Sequence, residues 1–252
     1  MTRDADLAPR ELDRYEQAYN QHPFEAVQAT MRKRMLLDIL ERQRPVRVLE
    51  VGCGLDTLAN HWRLARRFTV VEPAPAFAAR ARADTRGRQD VEVVEATLEA
   101  AAAKLTDGYD LVLISSLLHE VADGDALMAA VRAVCGPDTL VHVNVPNVRS
   151  FHRLLALEMG LIKSPSELSA AQVVLQQRRT FTAETLEILT TAHGFDVVER
   201  GGYFIKPFTH GQMQDLQDNG FLSPAMLEGL WGMAKHIPDL GSEIFVNLRP
   251  AI

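Results

Sequence analysis

One short run of residues has the types and spacing of a nucleotide-like ligand site. It reads Val-Leu-Glu-Val-Gly-Cys-Gly-Leu-Asp-Thr from Val48 to Thr57. The apolar start predicts a buried strand, and Gly52 and Gly54 follow directly after it. Glycine lets the backbone turn tightly and approach a ligand where a side chain would collide. The run therefore predicts a cofactor site above the edge of a sheet.

Two further positions in this run favour one kind of cofactor. A dinucleotide site has a third small residue, giving G-x-G-x-x-G, because the pyrophosphate lies on the helix N-terminus. Thr57 occupies that place here, and Glu50 precedes the first glycine. A carboxylate would repel a pyrophosphate but would suit a ligand with a cationic amino-acid end, such as S-adenosylmethionine. Glu50 could equally be a structural acid that accepts hydrogen bonds from loop amides.

Composition and charge narrow the class of protein. The chain has 252 residues, 47% hydrophobic and 24% charged, enough for one domain with an appendage. Its net charge of -6 gives no general attraction to nucleic acid or an acidic membrane, so we expect neither as a partner. Its two cysteines, Cys53 and Cys135, lie in no Cys/His cluster, so we expect no metal. The first residues form no apolar leader, so we expect a cytoplasmic protein. We also expect a monomer or a homodimer.

Short apolar runs alternate with helical stretches after Pro45, which is typical of parallel strands joined by crossover helices. We therefore predict an α/β fold, doubly wound, with a mostly parallel seven-stranded sheet. The last strand follows a long insertion, so we expect it to be antiparallel. The predicted strands are Val46–Val51, Phe68–Glu72, Val91–Val94, Leu111–Ser115, Leu140–Val145, Phe195–Arg200 and Glu243–Leu248.

Helical segments divide the chain into four predicted parts. Residues 1–44 carry apolar side chains at three- and four-residue intervals and are expected to form a helical region that covers the core. Residues 45–150 form the cofactor-binding core, with its first crossover helix expected from Thr57 to Arg66. Residues 151–181 form a helical insertion that serves as a lid. Residues 182–252 complete the core around a second helical insertion at 203–241.

Four landmarks resemble those of class I S-adenosylmethionine-dependent methyltransferases of the small-molecule type. The first is the loop from Glu50 to Gly54, and the second is Glu72, at the end of the next strand. The third is Glu95-Ala96-Thr97-Leu98, and the fourth is the segment from Asp110 to Val121. The resemblance covers roughly residues 46–200 and the last strand.

The resemblance implies S-adenosylmethionine as cofactor and S-adenosylhomocysteine as product. It also implies that Glu72 accepts hydrogen bonds from both ribose hydroxyls, a role that suits two carboxylate oxygens. The chain departs from the family pattern at Asp56, where a third glycine is common, and at Ala96 and Thr97, where an acid often meets adenine. The implied cofactor-binding residues are Glu50, Gly52, Cys53, Gly54, Asp56, Glu72, Pro73, Ala96, Thr97, Ser115 and Ser116.

His119 is the predicted catalytic residue. Methyl transfer from a sulfonium is an in-line displacement, so the protein mainly aligns the acceptor with the methyl carbon. A hydroxyl acceptor must also lose a proton, and a histidine with an ordinary pKa of about 6.5 suits that task near neutral pH. The alternative is a histidine that bonds the loop or packs against the cofactor.

Polar side chains after the fifth strand and in the insertions indicate the acceptor. They favour an acidic or polyhydroxylated molecule, since arginine binds carboxylate or phosphate through two hydrogen bonds. Tyrosines of the N-terminal region could cover the site. The predicted substrate-binding residues are Tyr15, Tyr19, Asn144, Asn147, His152, Arg153, Tyr203 and Lys206.

We therefore predict methyl transfer to a hydroxyl or amine of a polar small molecule, anionic ones included. A sugar, a nucleotide-sugar or a natural-product intermediate would fit. Two alternatives stay open. A protein or peptide methyltransferase would need an open acceptor edge, and a non-catalytic methyltransferase-like subunit would keep the fold as a binding module.

Overall fold

Seven strands form one mixed sheet in the computed structural model, which describes residues 24–105, 108–168 and 177–251. The strands are β1 (Arg47–Val51), β2 (Arg67–Val71), β3 (Val91–Val94), β4 (Tyr109–Ser115), β5 (Cys135–Pro146), β6 (Phe195–Tyr203) and β7 (Glu243–Pro250). Their order in the sheet is β3-β2-β1-β4-β5-β7-β6. This arrangement confirms the predicted α/β fold.

Strand direction brings one set of strand ends to the same edge. The first five strands are parallel, and Val51 pairs with both Val71 of β2 and Ile114 of β4. The last strand, β7, is antiparallel between β5 and β6, as predicted. Because β7 runs the other way, its first residue, Glu243, lies beside Pro146 at the end of β5. That edge therefore collects the ends of the parallel strands and the start of β7.

Helices cover both faces of the sheet. They are α1 (Glu25–Gln43), α2 (Pro75–Asp84), α3 (Leu98–Ala101), α4 (Gly124–Val134), α5 (Phe151–Glu158), α6 (Ala183–Ala192), α7 (His210–Asp218) and α8 (Pro224–Met233). Successive residues of β4 belong to two different apolar clusters, because strand side chains alternate between faces. Helices α4 and α6 pack in one cluster, and α1 packs in the other. None of the described helices is long and apolar enough to cross a membrane.

The prediction of a crossover helix from Thr57 to Arg66 was wrong. That stretch contains only a short 3-10 helix, Leu58–Asn60. Helix α1 explains the difference, since its Leu36, Ile39 and Leu40 share an apolar cluster with Leu58 and Trp62. The N-terminal helix thus covers the sheet face that a first crossover helix would otherwise cover.

A third apolar cluster joins α1 to the second insertion. Phe24 and Met31 pack there with Phe204, Met213 of α7 and Phe245 of β7. Burial of such large side chains stabilises this packing by about 1.5–3 kcal/mol each. Helices α1 and α7 are therefore held together beside the start of β7, where the site lies.

Candidate functional site

A cavity of about 830 Å³ lies at the carboxyl ends of the parallel strands. Its wall includes the loop 52–54 after β1, Glu72 after β2, residues 115–117 at the end of β4 and several side chains of α1. Open α/β sheets bind ligands at this edge, and cavities of this size hold small molecules and cofactors. The topology thus gathers most of the predicted site residues around one space.

The backbone of the glycine loop needs the glycines. Gly52 and Gly54 have φ values of 77° and 56°, a region that residues with a Cβ rarely adopt. A Cβ at Gly52 would approach Leu117 Cδ2 to 3.3 Å, whereas a Cβ at Gly54 would meet no atom within 4 Å. The loop therefore presents bare backbone to the cavity at Gly54, as an approaching ligand requires.

Glu72 is fixed against this loop. One carboxylate oxygen accepts hydrogen bonds from the amides of Cys53 (2.9 Å) and Gly54 (3.2 Å), and the other from the amide of Ala74 (2.9 Å). Burial raises the pKa of Glu72, and these amide hydrogens oppose the rise. Each carboxylate oxygen keeps acceptor capacity beyond these bonds. The two oxygens of Glu72 can therefore also accept hydrogen bonds from two ribose hydroxyls.

Glu50 bonds the loop that follows it. Its carboxylate accepts from Thr57 Oγ1 at 2.5 Å and from the Leu58 amide at 3.1 Å. Burial raises the pKa of Glu50 to about 7, although both hydrogen bonds oppose the rise. The residue lines the cavity as well. Of the two roles considered for Glu50, the bonding of the loop is the one that the structure displays.

Asp56 joins the loop to helix α1. Its carboxylate accepts from Lys33 Nζ of α1 and from Asn60 Nδ2 at 3.1 Å, and it lies 2.8 Å from His61 Nε2. Burial would raise its pKa, but the three polar partners lower it to about 2. The carboxylate that replaces the family's third glycine thus ties α1 to the glycine loop.

The end of β4 contributes two serines and the predicted base. Ser116 has a φ of 53°, and its amide donates to the Asn144 carbonyl at 3.0 Å. A non-glycine residue held in the left-handed region of positive φ is often found at a functional site. His119 is buried, lines the cavity, and has Nε2 3.5 Å from Glu120 Oε1. The structure thus brings Ser115, Ser116 and His119 to the same wall.

Most of the remaining predicted residues also line the cavity. Those that do so are Cys53, Pro73, Thr97, Asn147, His152, Arg153 and Lys206. Thr97 also caps α3, and the Asn147 amide donates to the carbonyls of Asp239 and Gly241. These two side chains therefore have structural roles at the wall.

Three predicted residues lie outside the cavity wall. Ala96 packs against the main apolar core instead. Asn144 Nδ2 and Tyr203 Oη both donate to Glu243, at 2.6 Å and 2.5 Å, so that carboxylate holds both side chains beneath the wall. Tyr15 and Tyr19 lie outside the described residues.

A polar group centred on Glu243 was not predicted from the sequence. Glu243 is 2% exposed and accepts hydrogen bonds from Gln28 and Arg32 of α1 as well as from Asn144 and Tyr203. Burial would raise the pKa of Glu243, but the charge and hydrogen bonds of Arg32 lead the effects that lower it to about 2. A signal was available, because Glu25, Gln28 and Arg32 recur at helical spacing on one face of α1.

Lys206 and two histidines form the polar wall beyond Glu243. Lys206 Nζ lies 2.8 Å from His210 Nδ1, and His152 Nδ1 lies 3.1 Å from Ser150 Oγ. Burial lowers the pKa of Lys206 to about 7. Burial and the positive charge of Lys206 together lower the pKa of His152 to about 2, so His152 is neutral.

Comparison with a family of methyltransferase domains gives a match over residues 19–200. The chain belongs to this family. No curated protein sequence matches the chain. Because the chain belongs to the methyltransferase family, it takes S-adenosylmethionine as its methyl donor. This agrees with the resemblance of the glycine loop and Glu72.

Solved structures share the fold of this methyltransferase. A Thermotoga maritima protein described as a possible histamine N-methyltransferase has 17% identity and a TM-score of 0.58, over 95% of this chain and 99% of its own. The plantazolicin methyltransferase BamL, solved with a triazolic desmethylPZN analogue and S-adenosylhomocysteine, has 14% identity and a TM-score of 0.57, over 95% of this chain and 96% of its own. The [4+2]-cyclase SpnF has 17% identity and a TM-score of 0.57, over 87% and 81%. At such identities the likeness concerns the fold.

Proposed function

We propose that this methyltransferase methylates a hydroxyl or amine of a polar small molecule, anionic ones included. A sugar, a nucleotide-sugar or a natural-product intermediate would fit. The observation that carries the proposal is the single cavity that joins the glycine loop to a polar wall with His152, Arg153 and Lys206. A cofactor at the glycine loop and an acceptor at the polar wall would share one cavity, as in-line transfer requires.

At the cofactor end, the proposed roles follow from the backbone and two carboxyl groups. Gly52 and Gly54 let the loop backbone lie against the ligand, and Glu72 receives the ribose hydroxyls. Glu50 holds the loop through Thr57 and Leu58. When bound, S-adenosylmethionine supplies an electrophilic methyl group on a sulfonium. Ser115 and Ser116 border the same space at the end of β4.

At the acceptor end, His119 is proposed to take the proton of a hydroxyl acceptor. It is buried at the cavity wall, and its backbone carbonyl accepts from the amides of Arg178 (3.0 Å) and Arg179 (3.3 Å). Those bonds tie the loop of His119 to the end of the first insertion. Its burial keeps bulk water from competing for that proton.

A peptide is the second candidate for the methyl acceptor, and the position of α1 makes it the less favoured one. Helix α1 is attached to the glycine loop by Lys33 and Asp56 and to β7 by Arg32 and Glu243. A helix held at both places narrows the edge where a peptide would enter. Helix α5 and the side chains of Gln177, Arg179 and Thr180 also line the cavity.

A methyl-transfer assay tests the proposal. The purified chain is given S-adenosylmethionine, and formation of S-adenosylhomocysteine is followed with a panel of polar hydroxyl and amine compounds and a matched panel of peptides. Turnover with small compounds alone is the expected result. Methylation of peptides alone would contradict the small-molecule proposal. Binding of S-adenosylhomocysteine without turnover on any compound would favour the non-catalytic alternative.

A further inference from the structure

Lys206 is a buried ammonium in the wall of the cavity. Lys206 is 1% exposed, and its Nζ lies within hydrogen-bonding distance of His210 Nδ1, at 2.8 Å. Among the described residues, no carboxylate oxygen lies close enough to Lys206 Nζ, within 4.0 Å, to form an ion pair with it. An ammonium has three donors, so Lys206 retains hydrogen-bonding capacity toward the cavity that it lines.

The nearest acidic residues are engaged elsewhere. Glu243 accepts from Arg32, Asn144 and Tyr203. Glu25 lies 3.4 Å from Arg32 Nη1 and 3.9 Å from His210 Nε2. Both carboxylates raise the pKa of Lys206 through space without pairing with it. A buried charge without a close counter-ion costs free energy, and a bound anion would offset that cost.

Other groups around Lys206 also suit an anion. Arg153 of α5 donates to the carbonyl of Pro165 at 2.8 Å, which holds its positive charge beside this wall. Its charge and that of Lys206 both help to keep His152 neutral. The charged and titratable groups around Lys206 are Glu25 of α1, His152 and Arg153 of α5, His210 of α7 and Glu243 of β7, and Glu243 is itself paired with Arg32 of α1.

We propose that Lys206, with His152 and Arg153 beside it, forms a subsite for an acid group of the methyl acceptor, a carboxylate or a phosphate. The inference rests on the proposed function and narrows it, because an acceptor held here carries an acid group besides the atom that is methylated. Charge-assisted hydrogen bonds to such a group are stronger than neutral ones and orient the acceptor in the cavity.

The pH dependence of the subsite has a definite sign. Burial leads the effects that lower the pKa of Lys206 to about 7, so the lysine is charged below that pH and neutral above it. A bound anion favours the charged form. Anion affinity should therefore fall as pH rises through about 7, with proton uptake on binding near that pH.

The test uses two anions that do not titrate in the relevant range, sulfate and acetate. Calorimetry first measures S-adenosylhomocysteine binding to the wild type, Lys206→Met and Lys235→Met, which examines the proposed function. Each anion is then titrated at about pH 6 and about pH 8.5, on either side of the lysine pKa, at constant ionic strength. Lys235 is exposed and lies outside the cavity wall. Lys235→Met is therefore a control that removes the same positive charge as Lys206→Met without altering the cavity.

The expected result is binding to the wild type at the lower pH and a loss of about 10- to 100-fold in Lys206→Met. Lys235→Met should retain the affinity. Stronger sulfate than acetate binding indicates a phosphate group, and the reverse indicates a carboxylate. Equal affinity in the wild type and Lys206→Met, or affinity that does not change with pH, would overturn the subsite.

The two proposals can fail separately. Should S-adenosylhomocysteine not bind, the proposed function fails, and the anions are titrated into the ligand-free proteins, where the same comparison decides the subsite. Should the cofactor product bind while the anions do not distinguish the variants, only the subsite fails. If Lys206→Met does not fold by circular dichroism, Lys206→Gln takes its place with the same criteria.

Discussion

Arg32 Nη2 of helix α1 donates to Glu243 Oε1 of strand β7 at 2.7 Å, and the two residues are 211 positions apart in the chain. Both side chains are largely buried, and both residues line the cavity. The pair attaches the N-terminal helix to the strand that enters the sheet last. It therefore fixes the position of α1 relative to the glycine loop and the polar wall.

Breaking this pair should destabilise the fold. Glu243→Gln removes the carboxylate that lies 2.7 Å from Arg32 Nη2 and leaves Glu25 at 3.4 Å from Nη1. Loss of one partner of a buried ion pair costs up to about 3–5 kcal/mol in free energy of unfolding. Urea unfolding followed by circular dichroism measures the change. The control is Glu228→Gln, since Glu228 forms an exposed pair with Arg34 and its loss should cost about 0–1 kcal/mol. Equal losses in the two variants would contradict a structural role for the buried pair.

The same carboxylate should make stability depend on acid pH. Its pKa is lowered from 4.5 to about 2, so its contribution to the free energy of unfolding is complete above pH 4.5 and is lost as pH falls toward 2. Wild type should therefore lose more stability than Glu243→Gln between about pH 5 and about pH 3. Urea midpoints at both pH values give the comparison. Parallel losses would mean that Glu243 titrates normally in the folded protein.

Glu72→Ala should weaken S-adenosylhomocysteine binding. It removes the proposed acceptor for the ribose hydroxyls and the bonds that hold the amides of Cys53 and Gly54. Lost hydrogen bonds to a charged group predict a fall in affinity of about 10- to 100-fold, measurable by calorimetry. The matched control is Glu92→Ala, an exposed acid on the neighbouring strand. An unchanged affinity in Glu72→Ala would exclude the ribose role.

Glu50 should make cofactor binding depend on pH. Its pKa is raised to about 7, so it is neutral below that pH, and the ammonium of the ligand prefers the ionised form above it. Affinity for S-adenosylhomocysteine should rise as pH passes through about 7 in the wild type and stay level in Glu50→Gln. As pH rises from about 4.5 to about 7, the ligand-free wild type should lose stability relative to Glu50→Gln, because over that range the folded state keeps a proton that the unfolded state releases. A level affinity in both proteins would restrict Glu50 to holding the loop.

His119→Ala should separate chemistry from binding. If His119 takes the acceptor's proton, the single-turnover rate with an acceptor from the assay should fall by about 100- to 10,000-fold. Affinity for S-adenosylhomocysteine should change little, since the loop and Glu72 stay intact. The exposed His236 provides the control variant His236→Ala. A rate that survives in His119→Ala would indicate an amine or an already ionised oxygen as the acceptor.

Local patterns in the sequence predicted that the glycine loop and Glu72 meet at one edge of the sheet, and Glu72 does bond the amides of Cys53 and Gly54. A buried strand, two glycines and an acid after the next strand are neighbours in the chain or in adjacent strands of a parallel sheet, so their meeting follows from the alternation of strands and helices. The same reasoning failed for Thr57 to Arg66, where α1 covers the sheet face. It also placed Asn144 and Tyr203 at the acceptor, whereas both bond Glu243.

The sequence by itself thus determined the α/β fold, the methyl donor and the position of the glycine loop at the sheet edge, because short-range periodicity and spacing encode these features. Only the tertiary structure brought together the polar wall where we propose that the acceptor binds. Arg32, Lys206 and Glu243 come from an N-terminal helix, an insertion and the last strand, and they meet because β7 enters the sheet antiparallel and starts at the carboxyl edge. Their charges and pKa values depend on burial and on one another, and no local pattern of residues contains that information.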